Sequence, residues 1–174
     1  MTADLSYPIG KFERPTSTTA ADRQSRVATL AALPTNMRGA VRGLSEKQLD
    51  THYRPGGWTV RQLVHHVADS HLNGYCRVKL ALTEENPVIK PYDEKSWAEL
   101  PDTKLPIELS LGILDSVHAR LDAILRSLTA EQFARPFLHP ASGPATIETW
   151  LALYDWHSRH HTAHITALRA REGW

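Results

Sequence analysis

Apolar residues recur at intervals of three or four along much of the chain, the spacing that places side chains on one face of an α-helix. The clearest run keeps this interval at Leu109, Ile113, Val117, Leu121, Ile124, Leu125 and Leu128. The same pattern predicts four long helices, over residues 19–43, 59–85, 107–128 and 146–172. Because no convincing set of alternating strands accompanies them, we predict an all-α four-helix bundle.

Proline, glycine and turn signals mark the segments between these helices. Residues 1–18 are predicted to form an extended N-terminal arm. Residues 86–106, with four prolines, are predicted to form a long connection between the second and third helices that contains a short helix. Residues 133–144 are predicted to be a loop, with a short hairpin as the alternative. Pro34 is expected to break or kink the first helix, because it lacks an N–H and crowds the preceding turn.

Length, charge and cysteine content narrow the class of protein. At 174 residues the chain fits one domain, residues 1–174, large enough to bury a core. Lys plus Arg number 20 and Asp plus Glu number 19, and this balance argues against a nucleic-acid partner, which would require a basic surface. The single cysteine, Cys76, precludes an intramolecular disulfide and fits a reducing compartment. Because no apolar run has signal-peptide or membrane-spanning length, we expect a soluble cytoplasmic protein without a membrane partner.

Four histidines lie within eight residues of the last predicted helix, in the segment WHSRHHTAHI: His157, His160, His161 and His164. A helix places His157 and His161 one turn apart, the spacing at which two imidazoles can bind one ion. On a helical wheel His157, His161 and His164 fall within about 60° of one another, on the apolar side that a bundle helix turns inward.

This cluster has two interpretations. A single buried histidine is most often a core or interface residue with a hydrogen-bond partner. Several imidazoles buried without partners would each cost about 1–3 kcal/mol, whereas one metal ion satisfies two of them. We therefore favour metal binding for His157 and His161, with a structural role as the alternative.

A third ligand is expected from a facing helix, and the segment WTVRQLVHHVADSH offers His65 and His66. Neighbouring helical residues point about 100° apart, so only one of the two can face a shared site. His66 shares a mixed polar face with Asp69, which could orient a ligand or accept a proton. The alternative is that this face is simply solvated, and the residues alone leave both open.

Three histidines with open coordination positions are typical of a catalytic zinc site rather than a structural one. An ion in such a site lowers the pKa of water, or activates a bound thiolate or carbonyl. The HSRHH segment lacks the Glu that follows the first His in HExxH peptidases, so a metallopeptidase of that class is not expected.

Four segments resemble a known family. The chain closely resembles the Bacillus YfiT group of the DinB-like superfamily in three segments, GWTVRQLVHHVADSH, RVKLALTEENPVIKPYDEKSW and LYDWHSRHHTAHITALRAREGW. A fourth segment, YPIGKFERP, is similar as well. The resemblance spans almost the whole chain. It implies a four-helix bundle, a homodimer, and one divalent ion per subunit held by three histidines.

The resemblance also implies which histidines bind the ion. One ligand is the His of the H-[apolar]-A-D segment, here His66 and not His65, and the other two are the first and fifth positions of the HxxxH motif, here His157 and His161. The implied ion is zinc or nickel, and imidazole suits both. His164 is not a ligand in this match and is expected to hold a ligand or a water.

Three hypotheses for function follow. The resemblance implies a metal-dependent hydrolase, in which the ion activates water and Asp69 or His164 accepts a proton. Relatives in the superfamily are S-transferases or isomerases that use low-molecular-weight thiols such as bacillithiol or mycothiol, so thiol transfer to an electrophile is the alternative. A non-catalytic bundle with structural histidines or a histidine dimer contact is the third. For either enzyme the expected partner is a small-molecule substrate.

Overall fold

The computed structural model describes residues 4–174, so the first three residues of the predicted N-terminal arm lie outside the described residues. In chain order its elements are α1 (Ala20–Val41), α2 (Glu46–Leu49), α3 (Val60–Thr83), α4 (Glu94–Ala98), a 3₁₀ turn (Pro101–Lys104), α5 (Glu108–Ser127), α6 (Ala130–Phe133), β1 (Pro136–His139), β2 (Gly143–Thr146) and α7 (Ile147–Glu172). The four long helices α1, α3, α5 and α7 form the bundle, and each begins and ends within two residues of its predicted bounds. The all-α four-helix bundle is confirmed.

Threonine caps fix where three of the long helices begin. Thr59 starts α3, accepting a hydrogen bond from the backbone N–H of Gln62 while the Gln62 side chain accepts one from the Thr59 N–H. Thr19 and Thr146 form the same reciprocal capping box at α1 and α7. Because a fixed first residue sets the rotation of every later side chain about the helix axis, these caps determine which histidines face inward.

The backbone of the structure tests two predictions, the one for residues 133–144 and the one for Pro34. The hairpin alternative for residues 133–144 is confirmed and extends to Thr146, with Phe137 of β1 paired to Ala145 of β2 in an antiparallel register. The expected break at Pro34 is wrong, because α1 continues through it to Val41. Pro34 is buried, so the packing of α1 against its neighbours outweighs the one helical hydrogen bond that proline removes.

The buried face of α5 is rotated relative to the apolar pattern seen in the sequence. Leu109 and Ile113 are exposed, whereas Leu111 and Leu114 are buried in their place. The C-terminal half of the predicted pattern, from Val117 onward, does face the core.

The core consists of two apolar clusters that occupy opposite ends of the bundle. One contains Val64 of α3 and Leu168 of α7, and the other contains Val78 of α3 and Leu151 of α7. The histidines of α7 lie between Leu151 and Leu168, at the level where the two clusters meet. No helix within residues 4–174 combines the length and apolar character needed to cross a bilayer.

Gly74 of α3 packs directly against the Tyr154 side chain of α7. A Cβ added to Gly74 would lie 2.6–2.8 Å from the ring atoms and hydroxyl of the buried Tyr154 on α7. We expect Gly74→Ala to lower the free energy of unfolding by about 1–2 kcal/mol, since this overlap outweighs the better helix propensity of alanine. Gly112→Ala in α5 is the matched control, because its Cβ would meet nothing within 4 Å, and it should raise stability. Urea denaturation measures both, and equal effects would contradict the tight α3–α7 contact.

Candidate metal centre

His66 on α3 faces His157 and His161 on α7. The ring centroid of His66 lies 5.6 Å from that of His157 and 5.0 Å from that of His161. The Nε2 atoms of His157 and His161 are 3.0 Å apart, and one ring nitrogen from each of the three residues lies within 4.8 Å of the others. The structure thus brings together the three histidines that the sequence singled out as ligands.

His65 faces a different part of the bundle. Its Nδ1 lies 2.7 Å from the Ser110 hydroxyl and its Nε2 lies 3.1 Å from the Leu105 carbonyl oxygen. Both ring nitrogens therefore have partners on the segment leading into α5. The choice of His66 over His65 agrees with the 100° rotation between neighbouring residues of a helix.

Burial keeps the three imidazoles uncharged. It lowers the pKa of His66 to about 4. Burial first, and then the neighbouring imidazoles, hold the pKa values of His157 and His161 well below the usual range. Neutral imidazoles each offer a lone pair to a cation, so the cluster has the protonation state that a metal site requires.

The spacing of the donors also fits a divalent ion. Two imidazole nitrogens bound at about 2.0–2.1 Å to one tetrahedral ion would lie about 3.3 Å apart, close to the observed 3.0 Å between the Nε2 atoms of His157 and His161. Zinc and nickel are both ions that imidazole suits. The three residues therefore fit the group that the resemblance implies.

A second histidine group adjoins the first and shares His161 with it. His160, His161 and His164 also bring ring nitrogens within 4.8 Å of one another. The Nε2 atoms of His160 and His164 are 3.1 Å apart, which makes them partners in one N–H···N hydrogen bond. This group comes from a single helix, and it competes with the first for the one lone pair of His161.

The first group lies in the wall of an open cavity of about 1330 Å³. Trp58 lines this cavity, with its ring centroid 4.5 Å from that of His66. Tyr53 packs against His164 at 4.2 Å. The cavity thus joins the candidate metal centre to a space large enough for a small molecule.

Charged side chains of both signs surround this cavity. Arg61 is held by Glu46 and Asp50. Arg54, which the sequence analysis did not single out, stacks over Tyr53, and its buried Nε has no hydrogen-bond partner among the described residues. Arg54 is therefore a cation on the cavity wall that is free of a carboxylate partner within residues 4–174.

The two residues expected to move protons occupy different positions. His164 is buried and lines the cavity. Asp69 is half-buried on α3 and is not among the residues that line it. Burial, with a smaller effect from Asp102, raises the pKa of Asp69 to about 6. The position of His164 supports contact with a substrate, and that of Asp69 does not.

The segment Tyr92–Lys95, which reads YDEK, has a structural role that the sequence did not reveal. The Asp93 carboxylate accepts hydrogen bonds from the backbone N–H groups of Lys95 and Ser96 and so caps α4. Glu94 and Lys95 then line the cavity. The segment therefore forms part of the same cavity wall as the histidines.

Comparison with known proteins identifies the family. The model described as the DinB superfamily matches residues 29–165. The chain belongs to the DinB superfamily. The matched region of this DinB-superfamily chain includes His66, His157 and His161.

Individual relatives agree over nearly the full length. The chain is 52% identical over 171 residues to proteins named "Putative metal-dependent hydrolase" from Bacillus cereus (strain B4264) and from Bacillus thuringiensis subsp. konkukian (strain 97-27), covering 98% of this chain and 99% of each relative. Among solved structures it matches YfiT from Bacillus subtilis, described as a probable metal-dependent hydrolase with an unusual four-helix bundle topology. That match has a TM-score of 0.95 and 49% identity, and covers 99% of both chains.

The buried histidines make stability depend on pH. Burial lowers the pKa values of His66, His118 and His160 to about 4, below the value near 6.5 of an unfolded chain. Between these values the unfolded state binds more protons, so stability is lost as pH falls from 6.5 toward 4. Asp69 acts in the opposite direction, because its raised pKa favours the folded state on acidification.

We therefore expect the metal-free protein to lose at least about 2 kcal/mol of unfolding free energy between pH 7 and pH 5, because the histidines outnumber Asp69. Urea unfolding at several pH values measures this directly. If the urea midpoint of unfolding is the same at pH 7 and pH 5, the histidines of the folded protein take up protons as readily as those of the unfolded chain, and the expectation is wrong.

Proposed function

We propose that this protein is a metal-dependent hydrolase of small molecules, with one Zn²⁺ or Ni²⁺ ion held by His66, His157 and His161. The observation that carries the proposal is the convergence of three neutral imidazoles, two buried and one partly buried, from two helices on the wall of an open cavity. The names of the Bacillus relatives support the same reaction class.

Such a site would take its ligands from two helices. His157 and His161 form an adjacent pair on α7, and His66 supplies the third ligand from α3, so that the ion ties the two helices together. A divalent ion held by three histidines keeps open coordination positions, where it polarises a substrate oxygen and lowers the pKa of water. Trp58 packs on His66 and restricts the rotation of that ring.

Other residues on the cavity wall suit substrate binding and proton transfer. We propose that His164 accepts a proton from the attacking water or passes one to the leaving group, with His160 as its hydrogen-bond partner. Arg54 would bind an anionic or strongly polar group of the substrate. Asp69 is expected to act only indirectly, since it does not line the cavity.

Thiol S-transfer is the second candidate. The absence of Asp69 from the cavity wall removes one proton acceptor that a hydrolase could use, whereas a thiol bound to a divalent ion is deprotonated by the ion itself. A low-molecular-weight thiol of the bacillithiol or mycothiol type would then be the cosubstrate. The homodimer and the cytoplasmic location stay predictions.

The metal assignment is tested by comparing neighbouring histidines. We expect His66→Ala to weaken Zn²⁺ binding by more than about 100-fold. This loss exceeds the loss of about 10- to 100-fold that is typical when a residue that only hydrogen-bonds to a ligand is removed. His65→Ala is the control on the same helix, and should retain the affinity while losing about 1–3 kcal/mol of stability with its bonds to Ser110 and Leu105. Competition with a chromophoric chelator measures the affinity. Equal losses of affinity in both variants would contradict the assignment.

The reaction is tested by supplying the ion-loaded protein with ester and amide substrates, and separately with a model electrophile and a panel of low-molecular-weight thiols. We expect thiol-independent hydrolysis that disappears on chelation and in His161→Ala. Turnover that occurs only when a thiol is present would replace the hydrolase with the transferase. No turnover in either assay, together with no stoichiometric ion, would support a non-catalytic bundle.

A further inference from the structure

Two deeply buried histidines have no place in the site described so far. His71 on α3 is 0% exposed and His118 on α5 is 2% exposed. Neither lines the cavity. An imidazole enclosed in a helical core needs partners for both ring nitrogens, because an unsatisfied polar group there is costly. Their partners therefore indicate what they do.

The two residues form a continuous row that ends on a candidate ligand. His118 Nε2 lies 3.0 Å from His71 Nδ1, and His71 Nε2 lies 3.2 Å from Nδ1 of His157. The other nitrogen of His157, Nε2, faces His161 at the metal centre. The row thus connects three helices, α5, α3 and α7, and reaches the metal centre through two residues that do not line the cavity.

The far end of the row lies against the backbone of α1. Burial lowers the pKa of His118 to about 4, and its interaction with the backbone of Leu30 opposes that shift, as expected of a carbonyl acceptor. His118 Nδ1 is buried and has no hydrogen-bond partner within the described part of the chain. Because His118 interacts with the Leu30 backbone, the Leu30 carbonyl is the acceptor toward which Nδ1 would donate.

Pro34 explains why that carbonyl is available. In an α-helix the carbonyl of Leu30 would accept a hydrogen bond from the N–H of residue 34. Proline has no N–H, and α1 continues through this position without interruption. The one carbonyl that Pro34 frees is therefore the one that faces His118.

The row has a single self-consistent direction. When His157 offers its Nε2 lone pair to an ion, its Nδ1 carries the proton and donates to Nε2 of His71. His71 then donates from Nδ1 to Nε2 of His118, and His118 donates from Nδ1 toward the Leu30 carbonyl. In the reverse direction a lone pair of His118 would face the carbonyl oxygen, which is repulsive.

We propose that His71 and His118 are positioning residues that lock His157 in the tautomer and ring orientation needed for metal binding, with the carbonyl freed by Pro34 as the fixed end of the row. The proposal rests on the metal-binding role of His157 given above. Because a peptide carbonyl cannot take up a proton at neutral pH, the row ends there and does not carry protons away from the site. It orients the ligand.

The test compares three substitutions in the full-length protein. His71→Phe keeps a ring in the core but removes the acceptor for His157, and we expect Zn²⁺ affinity to fall by about 10- to 100-fold. His71→Gln restores an acceptor near the position of Nε2 and should recover most of that loss. His65→Phe is the matched control, an equally buried position on the same helix outside the row, and should leave the affinity unchanged.

A second readout does not depend on the ion. Nitrogen-15 NMR of the histidine rings should show protonated Nδ1 on His157 in the wild-type chain, with and without Zn²⁺, and a mixture of tautomers in metal-free His71→Phe. If the wild-type chain has this tautomer and binds no Zn²⁺, the proposed function fails and the row remains. If His71→Phe keeps both the tautomer and the affinity, or if His65→Phe loses as much affinity as His71→Phe, the row is ordinary packing and the proposal is overturned.

Pro34→Ala keeps α1 helical, because alanine is the better helix former. It gives the Leu30 carbonyl a helical donor that competes with His118. We expect Zn²⁺ affinity to fall, by less than in His71→Phe, even though α1 becomes more stable. Unchanged affinity in Pro34→Ala would contradict the carbonyl as the fixed end of the row.

Discussion

The structure depends on one constraint, which is that several imidazoles are buried in a helical core where they cannot be charged. A neutral imidazole has one donor and one acceptor, so each must find a partner of the right kind. At four contacts the partner is another histidine, with nitrogen–nitrogen distances of 3.0–3.2 Å. His65 instead pairs with Ser110 and the Leu105 carbonyl.

This constraint also explains the arrangement of the core into two apolar clusters. The layer between them is polar and receives a contribution from every long helix: the Leu30 carbonyl from α1, His71 from α3, His118 from α5 and His157 from α7. A wholly apolar layer at this level would be simpler to pack. The polar layer instead fixes the rotation of the helices relative to one another, because each contact has a defined donor and acceptor.

The sequence predicted the helices well because their signals are local. Capping residues such as Thr59 and Thr146 and the apolar spacing lie within a few residues of what they determine. That only one of His65 and His66 can face the site is also local, since it depends on the rotation between neighbours on one helix. The choice of His66 came from the resemblance to the YfiT group. Leu109 and Ile113 were misplaced on α5 because an apolar stripe gives a direction on the wheel without saying which neighbouring helix lies there.

His71 and His118 could not be found in this way. Neither has another histidine three or four residues away on its own helix, as the HxxxH motif does. Their contacts join residues 47 and 86 positions apart, and such distances are set by how the helices pack. The available signal was chemical: a histidine inside an apolar helical pattern needs a buried partner, and Pro34 inside a predicted helix frees a carbonyl that can serve.

The same reasoning distinguishes the two histidine pairs of α7. His157–His161 and His160–His164 have identical spacing on the helix and similar distances between Nε2 atoms, so spacing cannot decide which pair binds the ion. Only His157 and His161 face His66 from α3, and only His157 is supported from behind by His71. A metal site needs ligands that converge and are held in place. The surrounding helices meet both requirements at the first pair and neither requirement at the second.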